Sequence, residues 1–70
     1  MQKRVYPNIK TYMQETGASQ KEIAMAVGSD PGTISRIVRG LQRPSLALAL
    51  KIANAANIPV ESLNVDDSSG

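Results

Sequence analysis

The sequence predicts an all-α protein, five short helices packed around one core. Three observations predict it. Apolar residues recur at i, i+3 and i+4, the spacing of a helix face. Residues that start helices (Asn8, Ser19, Asp30, Ser45) alternate with residues that stop them (Gly17, Gly28, Gly40, Asn57). No stretch shows the period-two alternation of a strand. At 70 residues the chain is one domain, and folding buries only about 60% of the unfolded surface, so its stability is modest.

Each element has a local cause. Ile9, Tyr12 and Met13 form the apolar side of a first helix, with Pro7 tolerated at its start, Asn8 as a cap and Gly17 as a left-handed stop. Ser19-Gln-Lys-Glu22 is a capping box, hydroxyl to the N3 amide and carboxylate back to the cap amide. It opens a helix carrying Ile23, Ala24 and Val27 that stops at Gly28; at barely two turns it cannot stand alone. Asp30 then caps a third helix with Pro31 at its first position, where the missing N–H costs nothing. Ile34, Ile37, Val38 and Leu41 follow at helical spacing up to Gly40. Pro44 holds Arg43 out of the helical region, and Ser45 caps a longer helix from Leu46 to Ala56. On that helix Leu46, Ala49, Leu50, Ala53 and Ala56 read as the core face. Leu48, Ile52 and Ala55 fall on a second face. Pro59 opens a last turn, Val60 to Leu63, and the chain from Val65 reads as frayed.

Composition narrows the function. With no Cys and no His there is no disulfide framework, no thiolate or imidazole metal site and no thiol nucleophile. General acid–base work would fall to six carboxylates, Lys or Tyr, which argues against an enzyme. No metal spacing or phosphate-cradling glycine loop appears, and no cofactor or small-molecule ligand is implied. Wholly apolar stretches such as Leu46 to Leu50 are far short of the ~20 residues of a membrane span. No apolar segment follows the basic start, so no secretory signal is read and a cytoplasmic protein is expected. Residues 1–51 hold eight basic groups against Glu15, Glu22 and Asp30, a balance of +5, while residues 52–70 carry −3. That asymmetry suits a body facing a polyanion, although scattered solvated charge would look the same.

The informative unit runs from Gln20 to Arg39, two short helices joined by a tight turn. Counting from Gln20, apolar residues fall fourth (Ile23), eighth (Val27), fifteenth (Ile34) and eighteenth (Ile37), with Ala24 fifth and Gly28 ninth. The apolar set locks a crossing angle, Ala24 permits close approach, and Gly28 supplies a positive φ. This is the helix-turn-helix pattern, whose second helix offers its N-terminal half to a major groove.

From Ile9 to Leu63 the chain resembles the lambda-repressor/Cro (XRE-type) helix-turn-helix family. The matching words are Gly17-Ala-Ser-Gln20-Lys-Glu-Ile-Ala24, Val27-Gly28, Thr33-Ile-Ser-Arg36-Ile, Gly40-Leu-Gln-Arg-Pro44-Ser-Leu46, Leu50-Lys-Ile-Ala53 and Asn57-Ile-Pro-Val-Glu-Ser-Leu63. The ordered series needs no gap. The resemblance implies a five-helix DNA-binding domain over residues 1–64 with a flexible tail over 65–70. It also implies a homodimer on a near-palindromic operator in double-stranded DNA, with half-sites about one helical turn apart. Small members of the family are phage or bacterial repressors. Many members carry an ion pair where this chain has Met13 and Val38, so the two are expected to pack as an apolar replacement.

Site residues follow from the pattern. Arg36, on the outer face of the third helix, is the leading base reader, because Arg to guanine is the commonest specific contact. Thr33 reaches either a base or its own helix terminus, and Ser35 lies beside it. At Pro31 and Gly32 many relatives carry long polar side chains. Here direct readout is thinner, leaving apolar and backbone contact supplemented by DNA shape and water. Asp30 is expected to cap. Gln20, at the family's phosphate-clamping position, joins Lys21, Arg39, Gln42 and Arg43 as expected phosphate contacts. Lys3 and Arg4 read as a frayed end rather than a basic arm. Leu48, Ile52, Ala55 and Leu63 form the candidate dimer surface. Two rivals to a repressor stand beside this reading: a protein-binding module such as an antitoxin or adaptor on the same fold, and the N-terminal domain of a longer repressor.

Overall fold

A computed structural model describes residues 4–65. The order is α1 (Ile9–Thr16), α2 (Gln20–Val27), α3 (Pro31–Val38), α4 (Leu46–Ala56) and a 3-10 turn, Val60–Leu63. The fifth element is therefore a single turn rather than an α-helix. Pro59 starts it and Asn64 ends it in the left-handed region at φ 52°, leaving no length for an i→i+4 ladder.

All four α-helices begin on a side-chain cap: Asn8 to Thr11 N–H, Ser19 to Glu22 N–H, Asp30 to Thr33 N–H and Ser45 to Leu48 N–H. The capping box at Ser19 is complete, with Glu22 Oε1 accepting from Ser19 N–H at 3.1 Å. Such reciprocal capping matters in eight-residue helices, which have too few internal bonds to be stable alone.

α2 is the hub, packing on α3 and on α4. Ile23, Ala24 and Val27 meet Ile34 and Ile37 of α3 and Ala49, Ile52 and Ala56 of α4, with Ile9, Ile58 and Leu63 closing the cluster. Ala24, Ile34, Ala49 and Ile52 are completely buried. Alanine at two of these places lets the helices approach closely, while the branched residues fill the space between them. Met13 and Val38 are both half-buried against this core.

Two expectations about the core are corrected. α3 ends at Val38, and Leu41 lies beyond it, 66% exposed. Gly40 takes φ +77° and the Leu41 N–H bonds back to the Arg36 carbonyl at 2.8 Å, closing a left-handed C-terminal motif that throws Leu41 outward. On α4 the inward stripe is Ala49, Ile52 and Ala56, while Leu46 and Leu50 are 57% and 52% exposed. The helix is turned about 60° from the expected face, taking roughly 100° per residue. α4 is apolar on most sides, so period alone does not choose its face. Pro44, fully buried just before it, anchors the start of the helix.

The N-terminal segment is tied down. Asn57, left-handed at φ 55°, bonds through its side-chain amide to the Arg4 carbonyl, and its own carbonyl accepts from Tyr6 N–H at 3.0 Å. Arg4 also pairs with Glu15 at 2.6 Å and lies 5.4 Å from the Tyr6 ring. Arg4 is thus a clasp and not the frayed residue expected; Lys3 lies outside the described residues. Of the expected tail, Val65 is half-buried against the core and 66–70 lie outside the described residues.

Candidate nucleic-acid interface

α2, the turn at Gly28 and α3 form a continuous unit. Gly28 takes φ +71° with open space around its Cα, so the turn demands glycine for backbone conformation rather than for room. Ser29 N–H caps back to the Ala24 carbonyl at 2.9 Å, and Asp30 starts the next helix at once.

α3 turns Ile34 and Ile37 inward. At about 100° per residue the most outward line is then Gly32, Arg36 and Arg39, with Ser35 on one flank and Thr33 on the other. Pro31, Gly32, Arg36 and Arg39 are exposed, and Thr33 and Ser35 are half-buried. Of the five expected base-reading residues, Gly32, Arg36 and Ser35 thus share the outward side, while Pro31 and Thr33 lie at its opposite edges.

The outward face is internally ordered. Asp30 Oδ1 accepts from the Thr33 hydroxyl at 2.6 Å and Oδ2 from the Thr33 N–H at 3.0 Å. The same Thr33 oxygen accepts from Arg36 Nη2 at 3.3 Å, and Arg36 Nε donates to Gln42 Oε1 at 2.7 Å. Thr33 thus bonds locally through its hydroxyl, donating to Asp30 and accepting from Arg36. The Thr33 hydroxyl, followed by its backbone N–H, holds the Asp30 carboxyl below its usual range, so Asp30 stays ionised as a cap.

Gly32 has a role that sequence reasoning missed. A Cβ built there would stand 3.0 Å from Asp30 Oδ2 and 3.5 Å from Arg36 Nη1. Helical side chains lean toward the N-terminus, so the Arg36 guanidinium lies back over the first turn beside Gly32, where a Cβ would crowd Asp30 Oδ2 and touch the guanidinium at ordinary distance. The signal available in the sequence was the pair Gly32 and Arg36, four residues apart on one face. Gln42 was also read differently, as a phosphate contact; its carbonyl oxygen is engaged by Arg36 and its amide N–H groups remain.

Gln20 is half-buried at the first position of α2, with Lys21 exposed beside it. Arg39 and Arg43 are exposed at the end of α3 and in the following loop. Basic groups thus lie at both ends of the unit. A family model described as helix-turn-helix matches residues 9–63, a range that contains the whole of this unit.

The chain belongs to the XRE-type helix-turn-helix family. This is a family of DNA-binding transcription regulators. An uncharacterized HTH-type transcriptional regulator of Archaeoglobus fulgidus is 37% identical over 59 residues, covering 84% of each chain. No solved structure gives a significant match.

The candidate dimer surface is not assembled. Ile52 and Leu63 are buried in the core, at 0% and 5% exposure, and have no surface to offer a second copy. Leu48 is half-buried against the same core, and only Ala55 is exposed. The rotation of α4 is the reason, since it directs Ile52 toward α2. Among the described residues no helix is long and apolar enough to cross a membrane, and no acidic cluster could hold a metal ion.

Proposed function

We propose that this protein binds double-stranded DNA sequence-specifically as a homodimer and represses transcription by occluding polymerase from a near-palindromic operator. The observation that supports it most is the ordered, exposed Arg36 on the outward line of the second helix of the unit. In this reading α3 enters the major groove. Arg36 reads a guanine, the Thr33 methyl and Pro31 meet apolar base edges, and Ser35 and the Gly32 backbone lie close to the bases. Gln20, Lys21, Arg39 and Arg43 hold phosphates on either side and fix register without reading sequence. With two side chains at the front of α3 too short to hydrogen-bond a base, shape readout carries part of the specificity.

The test is selection from a randomised duplex pool at about 0.15 M salt, where screening over ~8 Å suppresses binding by charge alone. Enrichment of a two-fold-related site with half-site centres about one helical turn apart is the expected result. A reporter carrying that site across its promoter should fall in output when the protein is expressed. Binding without enrichment that vanishes as salt rises would sink the reading and favour a protein-binding role for the fold.

A further inference from the structure

Arg36 is the one outward side chain of α3 held at two of its nitrogens, and one of the two restraints comes from outside the helix. Gly40 reverses the chain after α3, the Leu41 N–H closes on the Arg36 carbonyl at 2.8 Å, and Gln42 is returned to the Arg36 side chain. Its carbonyl oxygen takes the Nε proton at 2.7 Å, a short bond to a cationic donor. Thr33, itself fixed by Asp30, takes one Nη2 proton at 3.3 Å.

Of the five guanidinium N–H groups, both on Nη1 and one on Nη2 remain free. A fork of donors with no acceptor matches guanine, whose major-groove edge offers two acceptors, and mismatches adenine and cytosine, which each place an amino group there. An unrestrained arginine would lose its rotamer freedom on binding. One already held in place loses less, and it cannot swing to a neighbouring phosphate as readily.

We propose that Gln42 is a positioning residue for base readout: by holding Arg36 Nε it aims the remaining donors at one base pair per half-site, where guanine is selected. The proposal rests on the DNA-binding reading above and adds to it a specificity role for a residue outside the recognition helix. A Cβ at Gly32 would touch the guanidinium only at ordinary contact distance, 3.5 Å, but would press on the Asp30 carboxylate that fixes Thr33, at 3.0 Å.

The experiment compares Gln42→Met, Gln42→Glu, Arg36→Ala and the double variant Arg36→Ala/Gln42→Met with the parent chain. Each is measured against the selected operator and against operators substituted at each base pair, at several salt concentrations. Thermal melts verify that each variant folds. Gln42→Met should lower guanine preference at a single position about tenfold, within the range of one bidentate contact. The slope of log affinity against log salt should stay unchanged. Gln42→Glu keeps an acceptor for Nε and should retain that preference while binding all sequences more weakly. In the Arg36→Ala background Gln42→Met should remove nothing further at that position. A uniform loss across all operators, with the guanine preference intact at every position, would instead make Gln42 a phosphate ligand and overturn the proposal; a neutral amide leaves the salt slope unchanged in either case. Failure of the parent chain to prefer any site would overturn the DNA-binding reading itself, so the two failures are distinguishable.

Discussion

Substituting two neighbouring positions of α4 tests which way that helix faces. Ile52 has 0% of its surface exposed and sits among Ala49, Ala56 and the α2 residues, whereas Leu50, two residues earlier, is 52% exposed. Truncating a buried Ile to Ala typically costs about 2–5 kcal/mol, from lost burial plus the cavity left behind. A domain of 70 residues has roughly 4–10 kcal/mol in total at the usual stability per residue. Ile52→Ala therefore removes a large share of it, and a loss of about 3 kcal/mol lowers Tm by roughly 12–24 °C in a domain this small. Leu50→Ala forfeits about half of a burial energy of ~2 kcal/mol, partly offset by the better helix propensity of Ala, so the loss is about 1 kcal/mol or less. Circular dichroism melts and urea titrations of both variants decide the matter. Equal losses, or a larger loss at Leu50, would mean that α4 packs by the face its leucines suggest, and the fold described above would be wrong there.

Gly28→Ala should cost about 1–2 kcal/mol although the added methyl meets nothing, because the left-handed backbone alone opposes it; an unchanged urea midpoint would show the turn relaxing into another conformation. The depressed Asp30 carboxyl contributes stability that is fully present above its unfolded value and is lost as pH falls through its own lowered value. Asp30→Asn retains a capping oxygen without the charge, so the difference between parent and variant should shrink toward acid; a gap constant from neutral to acid pH would contradict the assignment. For DNA, Lys21, Arg39 and Arg43 on each of two protomers give six charge contacts and a salt slope of about −5, and Arg39→Ala should bring it to about −4. A slope unaffected by Arg39→Ala would remove that residue from the phosphate contacts.

Much of the fold was legible because its signals are local. Asn8, Ser19, Asp30 and Ser45 accept from amides three residues ahead, and Gly17, Gly28, Gly40 and Asn57 take the positive φ that ends each helix. The pattern Ile23, Ala24, Val27, Ile34 and Ile37 likewise set the α2–α3 core, since each short helix has only one apolar stripe to bury. The outward face of α3, with Arg36 at its centre, followed from that stripe.

Tertiary structure alone decided the rest. α4 offers apolar residues on most of its circumference, so its face depended on the space beside α2 and on the anchor at Pro44. That choice buried Ile52 and Leu63 and exposed Leu46 and Leu50. Arg4 joined the body because its carbonyl and its charge found partners at Asn57 and Glu15, far along the chain or across a helix. The contact from Gln42 to Arg36 spans six residues through a chain reversal, where helical periodicity has lapsed. Sequence determines local geometry through torsion preferences and neighbouring hydrogen bonds; contacts made after the chain reverses depend on the shape of what it meets.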